Sequence, residues 1–453
     1  MSQQKKTTTR SVAKKPEPKA EKIIPKLLGM KDFFANEQLA YELIAGELVK
    51  LAKTSGFSEI RTPILESYNL YKKSTRRNND QEFYFIEGAK SEKIVLRPEL
   101  TQGSLRLFLE NETLREAGLA RFFSLGPVFR YEKLQAGHYR ESTQFNLEII
   151  GEKKPITEAV TMAVVYNFFQ ELKINVQLQI NSLGTAECRK EYLGKLNAFY
   201  KERGRRAKLC AACKNSLGKN ALSLLDCQES ACVKEREEAP QIADYLSNES
   251  KEYFAKTLEY LDELGVNYNF NPHLVRGLNY YNDTVFEYWP INDKGLAQSR
   301  LALGGGGRYD SLANTLGGPE ILAFGLSLGV ERIMARLKDK QQLTKSAEED
   351  IIFLAQLGDQ AKIRAISLFQ ELKEAGFLVH YSFVTDSLKQ QLEEASALQA
   401  KVCLILGKKE ILDGTILMRD LESGAQETIV AKKIVDRLKR REKAIEKKLI
   451  NKK

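Results

Sequence analysis

The residues best suited to chemistry stand in two short blocks. The first is Leu274-Val275-Arg276-Gly277-Leu278-Asn279-Tyr280-Tyr281, closing at Thr284-Val285-Phe286-Glu287. Its arginine and paired tyrosines, in an aromatic and apolar setting, read as one guanidinium held rigidly on a structured floor. The second is Leu303-Gly304-Gly305-Gly306-Gly307-Arg308-Tyr309-Asp310, where missing Cβ atoms let backbone approach a ligand closely. Taken singly, the blocks also fit a strand-turn and a glycine loop. Upstream, Phe122 to Glu132 is apolar and β-prone and puts Arg130 at the end of a buried strand. A cation there is costly unless an anion pairs with it. That anion is either a ligand or a structural partner such as Glu132 or Glu148. Glu99 and Thr101 stand two apart in Leu96-Arg97-Pro98-Glu99-Leu100-Thr101. On a strand they share one face and offer acceptors that suit an ammonium ion.

Four of the six cysteines cluster at Cys210, Cys213, Cys227 and Cys232. The spacing, with 13 residues between the pairs and four inside the second, resembles a zinc site made of four thiolates. Ordinary reduced thiols are the alternative, and a cytoplasmic setting argues against disulfides.

These groups need elements to hold them. Leu39, Leu43, Leu48 and Leu51 give Glu37 to Thr54 a helical spacing that stops toward Gly56. Phe57 to Glu66 reads as an extended strand in which Pro63 limits the ladder. Arg121 to Gly151 reads as strand, polar loop and strand, with Gln144 to Ile150 returning. In Ala323 to Ile333 a strand enters a helix that delivers Arg332, and Gly317-Gly318-Pro319 precedes it. About Gly184 to Asn269 is a largely helical insertion. From about Asp350 to Val430 strands alternate with helices, which predicts a small α/β domain with a mixed sheet.

A chain of 453 residues, 43% of them hydrophobic, carries two to three domains with real cores. A run of about 18 apolar residues is absent and the N-terminus is polar and lysine-rich, so neither a membrane span nor a secretory signal is expected, and the protein is expected to be cytoplasmic. The net charge of +10, less +6 in residues 1–26 and +8 in residues 432–453, leaves −4 for the body. The basicity therefore sits at the ends. They are either solvated tails or contacts to a polyanion, and Ile434, Leu438, Ala444 and Ile445 could support a basic C-terminal helix.

Together the two blocks resemble the histidine-specific motifs of the histidyl-tRNA synthetases, which are class IIa aminoacyl-tRNA synthetases. The resemblance runs in family order from about Leu28 to about Val430. It implies an α+β catalytic domain with a class II antiparallel β-sheet flanked by helices, a helical insertion, and a C-terminal α/β anticodon-binding domain. On this division residues 1–26 are a basic disordered tail, 27–337 the catalytic domain with its insertion at about 184–269, 338–349 a linker, 350–435 the anticodon-binding domain and 436–453 a basic C-terminal tail. The implied reaction joins L-histidine to tRNA(His) through a histidyl-adenylate, with ATP as substrate and Mg2+ supplying positive charge.

The resemblance also assigns roles. Arg276 is the catalytic arginine, and Arg130 binds the α-phosphate and the substrate carboxylate. Glu132 and Arg332 join Arg130 in binding ATP, with Arg332 stacked on adenine. Glu99, Thr101 and Gln144 hold the amino group, Glu148 and Tyr281 contact the imidazole, and Tyr280 belongs to the same pocket. The Phe57–Glu66 segment resembles class II motif 1 and implies a homodimer. Three positions depart from the family: Ser142 replaces an aromatic, Asn279 an acid and His138 an arginine. Leu100 and Gln102 also differ from the commoner residues. The competing reading is a catalytically inactive relative that serves as regulatory subunit of an ATP phosphoribosyltransferase. Such relatives typically lose the Arg-Gly-Leu-acid-Tyr-Tyr block and the anticodon domain, both of which have counterparts here.

Overall fold

The computed structural model describes residues 23–72, 80–87, 92–132, 139–292, 295, 301–337, 351–383 and 385–450, the last six of these as backbone only. The expected tail up to residue 22, the linker at 338–349 and His138 lie outside them. The chain forms two compact units, residues 1–338 and 339–453.

The first unit is built on an eight-stranded sheet. In spatial order its strands are Ser58–Glu59, Ala120–Phe129, Glu141–Ile150, Ala323–Gly329, Gly304–Arg308, Asn282–Pro290, Val176–Ser182 and Tyr268–Phe270. The inner six pair antiparallel, and only the two edge strands pair parallel. Strands with apolar residues on both faces must be covered on both sides, and the helices Asn36–Thr54, Pro155–Glu171 and Asn248–Glu263 all present buried residues. Phe286 and Phe324 stack across the sheet at 5.7 Å, and Phe123, Phe145 and Phe169 are essentially inaccessible.

The strand expected over Phe57–Glu66 breaks in two. Ser58–Glu59 joins the large sheet, while Leu65–Ser67 joins a three-stranded sheet with Lys93–Leu96 and Phe85–Glu87. Pro63 has no N–H to give a ladder, and the Arg97 guanidinium donates to the carbonyl of Thr62 at 2.8 Å, which takes this stretch out of strand pairing.

The glycine run is a strand and not a loop. Its neighbours crowd it from both sides: a Cβ on Gly306 would lie 2.0 Å from the Gly325 carbonyl oxygen, and one on Gly305 would lie 2.3 Å from that of Phe286. Behind it Arg308, fully buried, donates to Glu158 at 3.0 Å and lies 3.3 Å from Asp310. Removing one member of such a pair typically costs about 3–5 kcal/mol, because the other charge is left buried alone.

The insertion is helical as expected, running through Ala186–Lys201, Arg203–Lys208, Ala211–Ser216 and Ser230–Glu237. In the second unit the strand order is Val379–Tyr381, Ile352–Gln356, Val402–Leu406, Thr415–Asp420, Gln426–Val430, parallel across the first three and antiparallel across the rest. The helix Ile434–Ile450 begins inside this core through Ile434 and Leu438.

Candidate active site

Glu148 is the centre of the buried polar groups. Its strand, Glu141–Ile150, pairs with Ala323–Gly329 so that Gly325 lies directly opposite it, and only a glycine leaves room there: a Cβ would sit 1.9 Å from Oε2. Thr101 donates to Oε1 at 2.7 Å and Asn146 at 2.9 Å, while the Tyr309 hydroxyl donates to Oε2 at 2.5 Å. Burial pushes the Glu148 carboxyl up from 4.5 to about 7 even against these three donors. Between those values the folded chain holds more protons than the unfolded one, so stability falls as pH rises through that window. Glu148→Gln removes the titration. Denaturant unfolding from pH 4.5 to 7.5 should therefore show the wild type losing about 3 kcal/mol relative to this variant. A difference that stays flat with pH would mean that Glu148 ionises as it does in open water.

Glu99 and Thr101 meet at this centre, though not as two residues of one strand. The strand ends at Leu96, and Thr101 opens the helix Thr101–Glu110. The Glu99 carboxylate accepts the backbone N–H groups of Thr101 at 2.6 Å and Gln102 at 2.9 Å, which satisfies two donors that a helix start leaves unpaired. Pro98 ends the ladder, and the cap wins over the extended conformation. Close by, the Oε1 atom of Gln144 is buried without a hydrogen-bond partner among the described residues. An unsatisfied buried acceptor costs about 1–3 kcal/mol until a donor arrives.

The rings of Tyr280 and Tyr281 lie 4.7 Å apart and those of Tyr280 and Tyr309 5.9 Å apart, all three buried. Tyr281 carries the Arg276 guanidinium 5.7 Å over its ring. Arg276 is also held by Glu287 at 2.5 Å, and Trp289 donates to the other oxygen of that carboxylate at 2.8 Å. The glycine strand does provide close approach, but to the site's own side chains. A Cβ on Gly305 would lie 2.9 Å from Arg276 Nη1, and one on Gly307 3.1 Å from the Tyr281 ring.

Arg130 follows the strand Ala120–Phe129 and donates from Nε to the Pro98 carbonyl at 2.7 Å. Neither structural partner considered for it accounts for its charge. Glu132 is 3.8 Å away with both side chains about a third exposed, and Glu148 is occupied by Thr101, Asn146 and Tyr309. An exposed pair of that kind is worth about 0–1 kcal/mol. Arg332, in the short helix Val330–Met334, donates to the Ala302 carbonyl at 3.0 Å. Burial and the neighbouring Arg130 lower its pKa, Glu132 and Glu287 oppose this, and Arg276 adds to it. Three guanidinium groups thus share one field with Glu132 and Glu287, and Arg130 also faces Glu99, whose carboxyl is pushed up by burial; planar cations gathered in this way suit an anion.

Tyr309, Asn146 and Glu287 escaped the sequence reading as site residues, although Tyr309 and Glu287 lie inside the blocks that drew attention. Arg97 escaped it too. It donates to Pro127 and Thr62 carbonyls, both at 2.8 Å, and so stitches two segments of the site together. Of the departures, Ser142 is half-buried on its strand opposite Val128, and Asn279 is exposed in a turn.

Comparison with known proteins agrees with this arrangement. A family model described as histidyl-tRNA synthetase matches residues 29–333, and one described as an anticodon binding domain matches residues 351–441. The chain is 35% identical to the histidine–tRNA ligase of Thermosipho melanesiensis, over 88% of this chain and 95% of that one. It is also 35% identical to the histidine–tRNA ligase of Syntrophotalea carbinolica, over 88% and 94%. Among solved structures, apo histidyl-tRNA synthetase from S. aureus superposes with a TM-score of 0.73 at 29% identity, covering 91% of this chain and 99% of that one. A protein from Bacillus halodurans described as an ATP phosphoribosyltransferase regulatory subunit/histidyl-tRNA synthetase shares the fold at a TM-score of 0.61 and 18% identity, over 84% and 97%. With two thirds of its length matched by one family model and a second model on its C-terminal unit, the chain belongs to the histidyl-tRNA synthetase family.

Proposed function

We propose that this protein joins L-histidine to tRNA(His) in two steps. The observation that carries the reading is the convergence of Arg130, Arg276 and Arg332 next to the Glu148 network. In the first step the histidine carboxylate attacks the α-phosphate of ATP, the bond to pyrophosphate breaks, and histidyl-adenylate forms. In the second, the 3′-terminal adenosine hydroxyl of the tRNA takes the histidyl group and AMP leaves. Neither step needs a covalent enzyme intermediate; both need positioning and charge neutralisation.

Each residue has a part in this reading. Arg276, fixed by Glu287, and Arg130 flank the α-phosphate, and Arg130 also holds the substrate carboxylate. Arg332 and Glu132 serve the nucleotide, Arg332 by stacking its planar guanidinium on adenine. The ammonium group lies among Glu99, Thr101 and the unpartnered Oε1 of Gln144. Glu148 and Tyr281 take the imidazole nitrogens, Tyr280 walls the pocket, and Tyr309 fixes the Glu148 carboxylate. Mg2+ bound with ATP would neutralise its outer phosphates. The carboxylates near the arginines are Glu99, Glu132 and Glu287; Glu99 caps the helix Thr101–Glu110 and Glu287 serves Arg276 and Trp289, so the donor set fits a metal that would be held chiefly by the phosphates. A structural Zn2+ would be held apart from the reaction, by Cys210, Cys213, Cys227 and Cys232.

A homodimer and a cytoplasmic setting complete the reading, and one feature supports the first. Ile64, Leu65, Phe85 and Ile86, each at least 40% exposed around the three-stranded sheet, form the kind of apolar surface a second subunit covers. Among the described residues no helix is long and apolar enough to cross a membrane. The regulatory-subunit reading has no observation of its own, because its fold likeness is shared by both readings and the relatives at 35% identity are ligases.

Amino-acid-dependent ATP–pyrophosphate exchange tests the proposal. Histidine alone among the common amino acids is expected to support it, because a site that hydrogen-bonds both ring nitrogens rejects analogues lacking them by about ten-thousandfold. Exchange supported equally by several amino acids would overturn the assignment.

A further inference from the structure

Away from the reacting groups, the insertion brings four sulfurs together. The Sγ atoms of Cys210, Cys213, Cys227 and Cys232 all lie within 4.8 Å of one another, with Cys213 and Cys232 buried and the other two half-buried. A tetrahedral zinc with bonds of about 2.3 Å places its sulfurs roughly 3.8 Å apart. The Cys210 and Cys227 sulfurs are 3.9 Å apart, nearly twice the length of about 2.05 Å that a disulfide requires. Two sulfurs already accept backbone amides: Cys210 N–H donates to Cys232 at 3.2 Å, and Cys213 N–H to Cys210 at 3.4 Å. Amide donors of this kind orient and stabilise thiolate ligands.

The surroundings need such a staple. Arg203–Lys208, Ala211–Ser216, Ala221–Leu224 and Ser230–Glu237 are all eight residues or shorter, too short to hold helical form unaided. Their own share of the apolar cluster is small, chiefly Leu209, Leu224, Leu225 and Ile242 beside the cysteines, and it packs against Tyr192, Leu196 and Tyr200 of Ala186–Lys201. Short helices that contribute so few apolar residues of their own are where a structural metal adds most.

The basic residues around the cluster fall into two sets. Arg205 pairs with Glu202, Glu235 and Glu238, and Lys208 pairs with Glu235 at 2.5 Å, which ties Arg203–Lys208 to Ser230–Glu237. Lys201, Arg203, Arg206 and Lys214 are exposed, have no ion pair among the described residues, and with Ala207 line a cavity of about 330 Å3. Four unneutralised cations around one concavity, on a chain whose body is otherwise acidic, match a phosphate-rich partner.

We propose that Cys210, Cys213, Cys227 and Cys232 hold one zinc ion as a tetrathiolate, and that this staple sets the rim of Lys201, Arg203, Arg206 and Lys214 to grip backbone phosphates of the RNA being acylated. The second half rests on the tRNA-charging reading given above, while the first stands on the sulfur geometry alone. The test uses the full-length protein purified without chelator. It should contain about one zinc per chain, and replacement by Co2+ should give the visible spectrum of a tetrahedral cobalt thiolate. Combined Cys213→Ser and Cys227→Ser should abolish both and raise hydrogen exchange across residues 203–237. Replacing the four rim residues together by alanine should leave the zinc content intact, which shows that the insertion is folded. It should also raise KM for tRNA roughly tenfold or more and flatten the salt dependence of binding. Zinc near zero, with all four thiols titrating freely in the native state, overturns the whole proposal. Full zinc with an unaltered KM for tRNA in the rim variant overturns the grip. Loss of histidine-dependent pyrophosphate exchange in the wild type would instead strike the functional reading and leave the metal result standing.

Discussion

Arg276→Ala is expected to slow histidyl-adenylate formation about a hundredfold while changing histidine binding far less, since losing one preorganised donor to developing charge costs on the order of 3 kcal/mol. The structure explains why this guanidinium is preorganised. Glu287 holds Nη1 at 2.5 Å, Tyr281 lies beneath it, and Gly305 clears the space that a Cβ would contest. It therefore has little freedom to lose when the α-phosphate becomes more negative, and its contact strengthens along the reaction coordinate. Single-turnover adenylation with purified variant, set beside histidine affinity from equilibrium titration, checks this. A rate loss below tenfold would place Arg276 outside the chemistry.

A chain ending at Lys338 is expected to keep pyrophosphate exchange and lose tRNA charging by a factor on the order of 10²–10⁴, the range that a second tethered binding module adds to a first. The basis is the division into units 1–338 and 339–453, each with its own sheet, and the match of residues 351–441 to an anticodon binding domain. All fourteen residues proposed for histidine, nucleotide or zinc lie in the first unit. Steady-state charging at low tRNA concentration gives the comparison. Equal charging by the full-length and shortened chains would show that the C-terminal unit contributes nothing to tRNA recognition.

Much of this architecture can be read from sequence because its signals are local. Leu39, Leu43, Leu48 and Leu51 mark the helix Asn36–Thr54, and the apolar run into Phe129 marks a strand of the large sheet. The pattern after residue 350 matches the second unit's strands as far as Thr415–Asp420 and the helices Asp359–Glu374 and Leu388–Ala397. What escaped depends on partners far away in the chain. Tyr309 reaches Glu148 across 161 positions because the sheet register sets Gly325 against Glu148. Arg97 takes up the Thr62 carbonyl 35 positions before it and so breaks a strand whose own residues favour extension. Glu99 reads as a strand residue until its carboxylate is seen capping the next helix, a competition between two local structures that side-chain type alone does not decide. The four cysteines were visible by spacing, but only the fold brings their sulfurs within 4.8 Å.

The four-glycine strand has an evolutionary consequence. Any coding change that replaces a glycine adds at least a Cβ. At Gly304, Gly305, Gly306 and Gly307 that atom would land 2.0–2.4 Å from a carbonyl oxygen of a neighbouring strand. Side chains can rotate away from an intruder, but paired strand backbones cannot move apart without giving up their ladder. Gly304–Gly307 is therefore a stretch with almost no neutral neighbours in sequence space, set in the middle of the sheet.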